Sequence, residues 1–427
     1  MWQGDIDRFT QSDSNGKSEW NIHLVKKHKS KYPRKIFLIA GEPSGDSLGG
    51  NLMEGLLRIY PDVEFIGVGG PSMIEKGLVS IFPYDELSVM GITEVLSNLP
   101  RLLNRKNQLV ASILSDSFDA VVTIDSPDLN LRVAKGIKRG GYRNPVIHYV
   151  SPTVWAWRQG RLKKIRECVD HILTLFPFEN EILEKSGISS TFVGHPIANI
   201  KPPDKQEIAQ VSSHLGLEPG KPTLLILPGS RKSEITKMGP VFAKAAGLFQ
   251  TEFPDYQIVV APTPQFTGIL KDRNEFGWPE GTRFFESADW DTEQRERMKL
   301  SLFSVSNLAL ASSGTVSLEL AAASTPMVIG YDLSWLSRQI IGSMLLVDTV
   351  TLINLITSTR EVPELLGKNL TPENLFVELE RIASAPSEQN AQIDILNQTM
   401  ISLGKNTQNL NDLPAQAMVE IFDSHKG

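Results

Sequence analysis

Two loops of this chain mix glycine, hydroxyl and charged side chains in a spacing suited to holding an anion. In "LPGSRKSEI" (227–235) an apolar run stops at a Pro-Gly turn, and Ser230 and Arg231 follow before a helical stretch. In "SSGTVSLE" (312–319) Gly314 sits among hydroxyls, and Glu319 lies one turn into the next helical stretch. Gly229 and Gly314 let backbone N–H groups approach a ligand, while Ser230, Ser313 and Thr315 add hydroxyl donors. Both loops lead into helices, whose N-termini favour negative charge. Arg231 supplies a guanidinium fork that matches phosphate oxygens, and the Glu319 carboxylate suits the two hydroxyls of a ribose. The pair of loops fits a nucleoside diphosphate. Taken singly, each also reads as an ordinary helix cap.

Other candidates lie nearer the N-terminus. "AGEPSGDSLGG" (40–50) lacks the G-x-G-x-x-G dinucleotide fingerprint and carries Glu42 and Asp46 where a phosphate cradle would want no acid. With Ser44 between them, it suits a hydroxyl-rich or weakly anionic partner. "IDSPDLN" (124–130) puts Asp125 at the end of an apolar run, where low-dielectric walls raise a carboxyl toward useful basicity. Asp125 is equally read as a turn residue, and Asp128 reads as a helix cap. In "HYVSPTVWAWRQGRLKKIR" (148–166), Trp155 and Trp157 precede Arg158, Arg161, Lys163, Lys164 and Arg166. Aromatics beside cations suit a site for acyl chain and phosphate, or a membrane interface; core tryptophans beside a solvated basic helix fit as well. "ELSVMGITEVLSNLPRLLNRK" (86–106), with Met90, is apolar with a basic end and suits either a lipid-gripping surface or a plain core helix. "DWD" (289–291) stands in a polar loop with no second acidic cluster, and the seven histidines, His195 in "GHP" among them, show no metal-ligand spacing. No metal site is expected.

These residues need a scaffold that brings strand ends together. From Arg34 the pattern alternates short apolar runs with helical stretches: "KIFLIA" (35–40), "VEFIGVGG" (63–70), "DAVVTID" (119–125), "PVIHYV" (145–150), "HILTLF" (171–176) and "TFVGH" (191–195). Continuous apolar runs suit strands buried on both faces of a parallel sheet. Leu48, Leu52, Leu56 and Ile59 recur at helical spacing between the first two. A Pro- and charge-rich stretch (198–223) interrupts the rhythm, which restarts at 223–230, 256–263, 282–287, 307–314 and 326–332. The expectation is an α/β protein with two Rossmann-like domains facing a cleft, in which ligands bind beyond the carboxyl ends of strands. The expected division is an extension over 1–33, two Rossmann-like domains over 34–200 and 201–400, the second for the nucleotide, and a segment 401–427 whose helix, by analogy with other proteins of this fold, returns to the first domain.

Bulk properties narrow the classes. The chain has 427 residues, 41% hydrophobic and 22% charged, which is ordinary for a globular protein. Its net charge of −6 lacks the basic footprint of a nucleic-acid binder. The single cysteine, Cys168, permits no intrachain disulfide and reads as a small core residue in a reducing compartment. Residues 1–33 are polar and of mixed charge, without the apolar core of a secretory signal, and no apolar run approaches the ~18 residues of a membrane span.

In one order along the chain, "AGEPSGDSLGG", "SVMGITEVL", "IDSPDLN", "HYVSPTVWAWRQGR", "FPFE", "VGHPIA", "LPGSRKSEI", "SSGTVSLEL" and "PMVIGY" closely resemble the lipid-A-disaccharide synthases. These are glycosyltransferases of the two-Rossmann GT-B type, and the resemblance runs from about Lys35 to about residue 366. It implies transfer of a diacylated glucosamine from UDP-2,3-diacylglucosamine to the 6-hydroxyl of 2,3-diacylglucosamine 1-phosphate (lipid X). The transfer inverts the anomeric centre and releases UDP and lipid A disaccharide 1-phosphate. It also implies a peripheral enzyme on the cytoplasmic face of the inner membrane, Asp125 as base candidate, and Arg231, Glu319 and Asn354 among the groups holding UDP. Departures from the family pattern fall at Asn199, Ile353, Ser358, Thr359 and Gly367. The competing readings are another GT-B-like UDP-sugar enzyme, either a soluble glycosyltransferase or an epimerase, and a non-catalytic sugar-nucleotide binder.

Overall fold

The protein is described from a computed structural model covering residues 34–87, 92–154, 160–287, 290–332 and 349–425; the side chains of 92–98, 273 and 274 are not described. The extension 1–33 and the candidates Met90, Trp155, Trp157 and Arg158 therefore lie outside the described residues.

The apolar runs form two all-parallel sheets. The first has seven strands: β1 (Lys35–Ala40), β2 (Glu64–Val68), β3 (Leu78–Ser80), β4 (Ala120–Ile124), β5 (Val146–Tyr149), β6 (His171–Thr174) and β7 (Ser190–Phe192), in the order β3-β2-β1-β4-β5-β6-β7. The second has six: β8 (Thr223–Leu227), β9 (Gln257–Val260), β10 (Arg283–Phe284), β11 (Leu308–Ser312), β12 (Met327–Tyr331) and β13 (Glu364–Leu366), in the order β10-β9-β8-β11-β12-β13. Every residue of β4, β8 and β11 is buried, so these unalternating Val/Ile/Leu/Ala runs are covered on both faces. In each sheet the strand order reverses once, between β1 and β4 and between β8 and β11. The two loops at each reversal diverge to opposite faces and leave a crevice, the usual ligand position in open α/β sheets.

The three-residue edge strands β3 and β13 were not expected from the sequence. Val79 in β3 is exposed and β13 is half-buried throughout, so neither carries the buried apolar signature of a central strand. Each is an extended segment because its neighbour supplies the ladder, β2 for one and β12 for the other.

Helix Pro43–Ile59 packs Leu52, Met53 and Leu56 into the first core, each side chain contributing roughly 2 kcal/mol by its burial. Helix Leu413–Ser424 joins that same core through Ala415, Met418 and Phe422. Gly55 permits the approach, since a Cβ there would stand 2.8 Å from the Cβ of Ala415, and Arg58 pairs with Asp412 beside it. The chain crosses between the sheets after β7. There His195 donates its backbone N–H to Leu403 (2.9 Å), and its Nδ1 accepts from Ile197 N–H (3.1 Å). Past Pro202-Pro203, a capping box restarts the chain: Asp204 accepts from Gln206 and Glu207 N–H, while Glu207 accepts from Asp204 N–H.

Candidate active site

At the reversal in the first sheet, β1 is followed by Gly41–Glu42 and β4 by Asp125–Ser126. Asp125 (φ 50°) and Ser126 (φ 41°) both take the left-handed conformation, costly for residues with a Cβ. On the neighbouring strand end, β-branched Val150 does so too (φ 78°). Backbone strain of this kind persists only where surroundings enforce it, and it gathers at functional sites. The enforcing group is Asn130, fully buried, whose Nδ2 donates to the carbonyls of Asp125 (2.7 Å) and Ile124 (3.1 Å). Asp125 N–H is in turn fixed on Tyr149 O (2.9 Å). Burial, and then the neighbouring Glu42 carboxylate, push the Asp125 carboxyl above the ordinary aspartate range, against a smaller opposing pull from the Ser126 N–H. Ser126 Oγ donates to Glu42 Oε1 (3.0 Å), tying the two strand ends together.

Asn130→Ala is expected to slow turnover by about 10²-fold, the usual cost of misplacing a catalytic group by an ångström, with UDP affinity unchanged. Single-turnover rates alongside equilibrium binding check this.

Asp46 is a correction. It is 3% exposed, and its two carboxylate oxygens accept from the N–H groups of Gly70 (2.8 Å), Ser72 (2.9 Å) and Met73 (3.1 Å). It satisfies the N-terminus of helix Pro71–Glu75 instead of facing an acceptor. Ser44 is exposed in the first turn of helix Pro43–Ile59. Asp128 also differs from expectation: the residue preceding helix Pro127–Arg139 is Ser126, and Asp128 pairs instead with Arg161.

At the reversal in the second sheet, Leu227 of β8 is in register with Ala311 of β11, so the 228–231 and 312–315 loops emerge side by side. Gly229 has φ 120°, and a Cβ there would lie 2.7 Å from Glu234 Cβ. Glu234, not singled out from the sequence, closes the first loop: its Oε2 accepts from Ser230 N–H (3.1 Å) and Arg231 N–H (3.3 Å). Its Oε1 takes the Arg231 guanidinium at 2.9 Å. These two N–H groups are thus held by a carboxylate of their own helix, a pattern the Arg231-to-Glu234 spacing could have signalled. The Arg231 side chain is 70% exposed, so its pair with Glu234 is worth only about 0.3–0.5 kcal/mol and gives way readily to a stronger anion. Thr315 is exposed at the start of helix Val316–Ala322, and Gly314 has open space where a Cβ would stand. Glu319 is half-buried and ion-paired with Lys299 (2.9 Å).

Asn354, which the resemblance implies among the groups holding UDP, lies in the segment after the 349–351 chain. Fully buried, it donates through Nδ2 to Val362 O (2.9 Å) and Glu364 Oε1 (2.8 Å), and its Oδ1 accepts from Val362 N–H (3.2 Å). Both faces of its amide are engaged with the 362–364 segment. Neighbouring Ile353 is a fully buried core residue, and Ser358 ends helix Leu352–Thr357 in the left-handed conformation (φ 54°) usually taken by glycine.

His195 stacks on Phe176 (5.6 Å) in the crossover between the sheets. Asp291 caps helix Thr292–Val305 through Gln294 N–H (2.8 Å), and Asp289 lies outside the described residues. Cys168 is buried, which pushes its thiol up to about 11. Among the described residues no group of three or more His, Cys, Asp or Glu is arranged to hold a metal ion, and no helix is long and apolar enough to cross a membrane.

The two doubly wound parallel sheets match solved structures of GT-B architecture. A UDP-GlcNAc 2-epimerase from Neisseria meningitidis, bound to UDP-GlcNAc, aligns with TM-score 0.57 at 11% identity, covering 91% of this chain and 100% of that one. An Anabaena protein in complex with UDP and glucose aligns with TM-score 0.54 at 12% identity, covering 92% and 100%. At such identities the likeness is one of fold. Sequence relatives are nearer. The lipid-A-disaccharide synthase of Ruegeria pomeroyi is 43% identical over 371 residues, 87% of this chain and 91% of the relative. That of Rhodospirillum centenum is 39% identical over 392 residues, 91% and 95%. The family model for lipid-A-disaccharide synthetase matches residues 36–419, and the chain belongs to that family.

Proposed function

We propose that this chain transfers a diacylated glucosamine from its UDP donor to the 6-hydroxyl of diacylglucosamine 1-phosphate, giving lipid A disaccharide 1-phosphate and UDP. The acceptor oxygen attacks the anomeric carbon while Asp125 takes its proton. The bond from that carbon to the diphosphate oxygen breaks on the opposite face, so the configuration inverts. Arg231, with the hydroxyls of Ser230 and Thr315 and the backbone around Gly229 and Gly314, stabilises the charge gathering on departing UDP. Glu319 holds the ribose, and Glu42 and Ser44 face the acceptor sugar. The observation that carries this reading is Asp125 at the first sheet's reversal, strained, desolvated and beside Glu42. A nucleotide binder without catalysis has no use for a carboxylate held that way.

Both substrates carry acyl chains, so the reaction is expected at the cytoplasmic face of the inner membrane. Supporting a lipid contact are two adjacent helices, Pro127–Arg139 and Gly160–Arg166, bridged by Arg161 and Asp128. They expose Arg132, Arg139, Lys163, Lys164 and Arg166, cations suited to anionic headgroups. Incubating purified protein with UDP-diacylglucosamine and diacylglucosamine 1-phosphate in detergent or liposomes should yield the disaccharide phosphate and UDP, identified by mass. Turnover of water-soluble acceptors alone would point to a soluble glycosyltransferase, and interconversion of the UDP-sugar without an acceptor to an epimerase.

A further inference from the structure

The carboxylate of Glu364, at the start of edge strand β13, gathers an unusual number of donors. It accepts from the N–H of Val350 (3.0 Å), the N–H of Thr351 (3.1 Å), Nδ2 of Asn354 (2.8 Å) and the hydroxyl of Thr349. Thr349 and Thr351 are each 1% exposed and Asn354 is fully buried, so most of these donors have no water to turn to. Hydrogen bonds to an ionised acceptor are about twice as strong as neutral ones, and donors left without it would pay their desolvation in full. The carboxylate therefore fixes the conformation of the 349–351 segment.

That segment lies against the second-sheet reversal. Ser313 Oγ donates to Val350 O (3.4 Å), and Ser313 immediately precedes Gly314. Directly after it, helix Leu352–Thr357 packs on helix Val316–Ala322, with Leu352, Ile353 and Val316 sharing one core. The glycine loop thus has β11 beneath it and, beside it, the 349–357 segment that Glu364 anchors.

We infer that Glu364 is a positioning residue for the nucleotide loop, and that Asn354 acts through the same device rather than by touching UDP. This rests on the reading that the 312–315 loop holds UDP. Glu364→Gln keeps the shape but turns an amide donor toward groups that are themselves donors, so the segment must rearrange. Expected is a rise of about tenfold in the Kd for UDP and in donor KM, the loss of about one charge-assisted hydrogen bond. Acceptor KM should stay within twofold and kcat should fall much less than kcat/KM for the donor. Asn354→Ala should do the same, and the double variant should be no worse than the more severe single one, because both act on one segment.

Calorimetric UDP titration and steady-state kinetics test this, with Arg231→Ala as reference and circular dichroism to confirm folding. Unchanged UDP affinity in Glu364→Gln while Arg231→Ala loses it would overturn the inference alone. Additive effects in the double variant, or equal rises in donor and acceptor KM, would overturn it as well. UDP affinity unchanged in both Arg231→Ala and Glu364→Gln would remove the UDP site reading itself.

Discussion

Asp125→Ala is expected to lower turnover by about 10²–10⁴-fold, the range supplied by a positioned general base, while UDP affinity stays within severalfold. The separation follows from topology: Asp125 belongs to the first sheet, whereas the loops assigned to UDP belong to the second. A near-normal rate in this variant would show that another group takes the proton. Asp125 must be ionised to act, and its carboxyl sits above the ordinary range because burial and Glu42 disfavour the charge. The acid limb of kcat/KM is therefore expected at higher pH than an unperturbed carboxylate would give, and Glu42→Gln should move that limb toward acid. The same shift has a stability consequence of definite sign. Above the unfolded value of ~3.9, the folded state holds the proton longer than the unfolded state, so stability falls as pH rises through the raised value. Asp125→Asn should melt at a higher temperature than the parent at pH 7, helped further by the tolerance of Asn for the left-handed backbone. The gap should narrow as the pH falls from the raised folded value toward the unfolded one, and close below it. A parent more stable than Asp125→Asn at neutral pH would contradict the desolvated setting assigned to this carboxyl.

Arg231→Ala is expected to weaken both UDP binding and turnover, with kcat/KM for the donor falling by about 10²–10³-fold, the usual loss for one preorganised donor at developing charge. Arg231 is the one charged side chain of the 228–231 loop, and the Ser230 and Arg231 N–H groups already donate to Glu234. Arg231→Lys should recover little, since a point charge lacks the fork that spans two phosphate oxygens. Loss of turnover with UDP affinity intact would assign Arg231 to the transition state only. Unchanged UDP binding and turnover would remove it from the site.

The central strands and the four loops at their ends were legible because each signal is local. A run such as "TLLIL" announces a strand buried on both faces, and "PGSR" or "IDSPD" announces what stands at its end. The motif order was enough to identify the family. The short strands β3 and β13 were not legible, because their extended form comes from a neighbour's unpaired edge and not from their own pattern.

Which polar residues remain available to a ligand was decided only by the tertiary structure. Asp46 and Asn354 have the composition of binding residues, yet their partners, Gly70–Met73 and Val362–Glu364, come from segments the sequence does not pair with them. Conversely, Asn130 and Glu364 gain importance only through backbone carbonyls and N–H groups brought to them by folding. The sequence by itself determined the sheet class, the family and which side chains stand at strand ends, because these follow from hydrophobic pattern and residue type along the chain. The folded structure decided which of those side chains are already satisfied, because a hydrogen bond is spent or free according to neighbours distant in sequence.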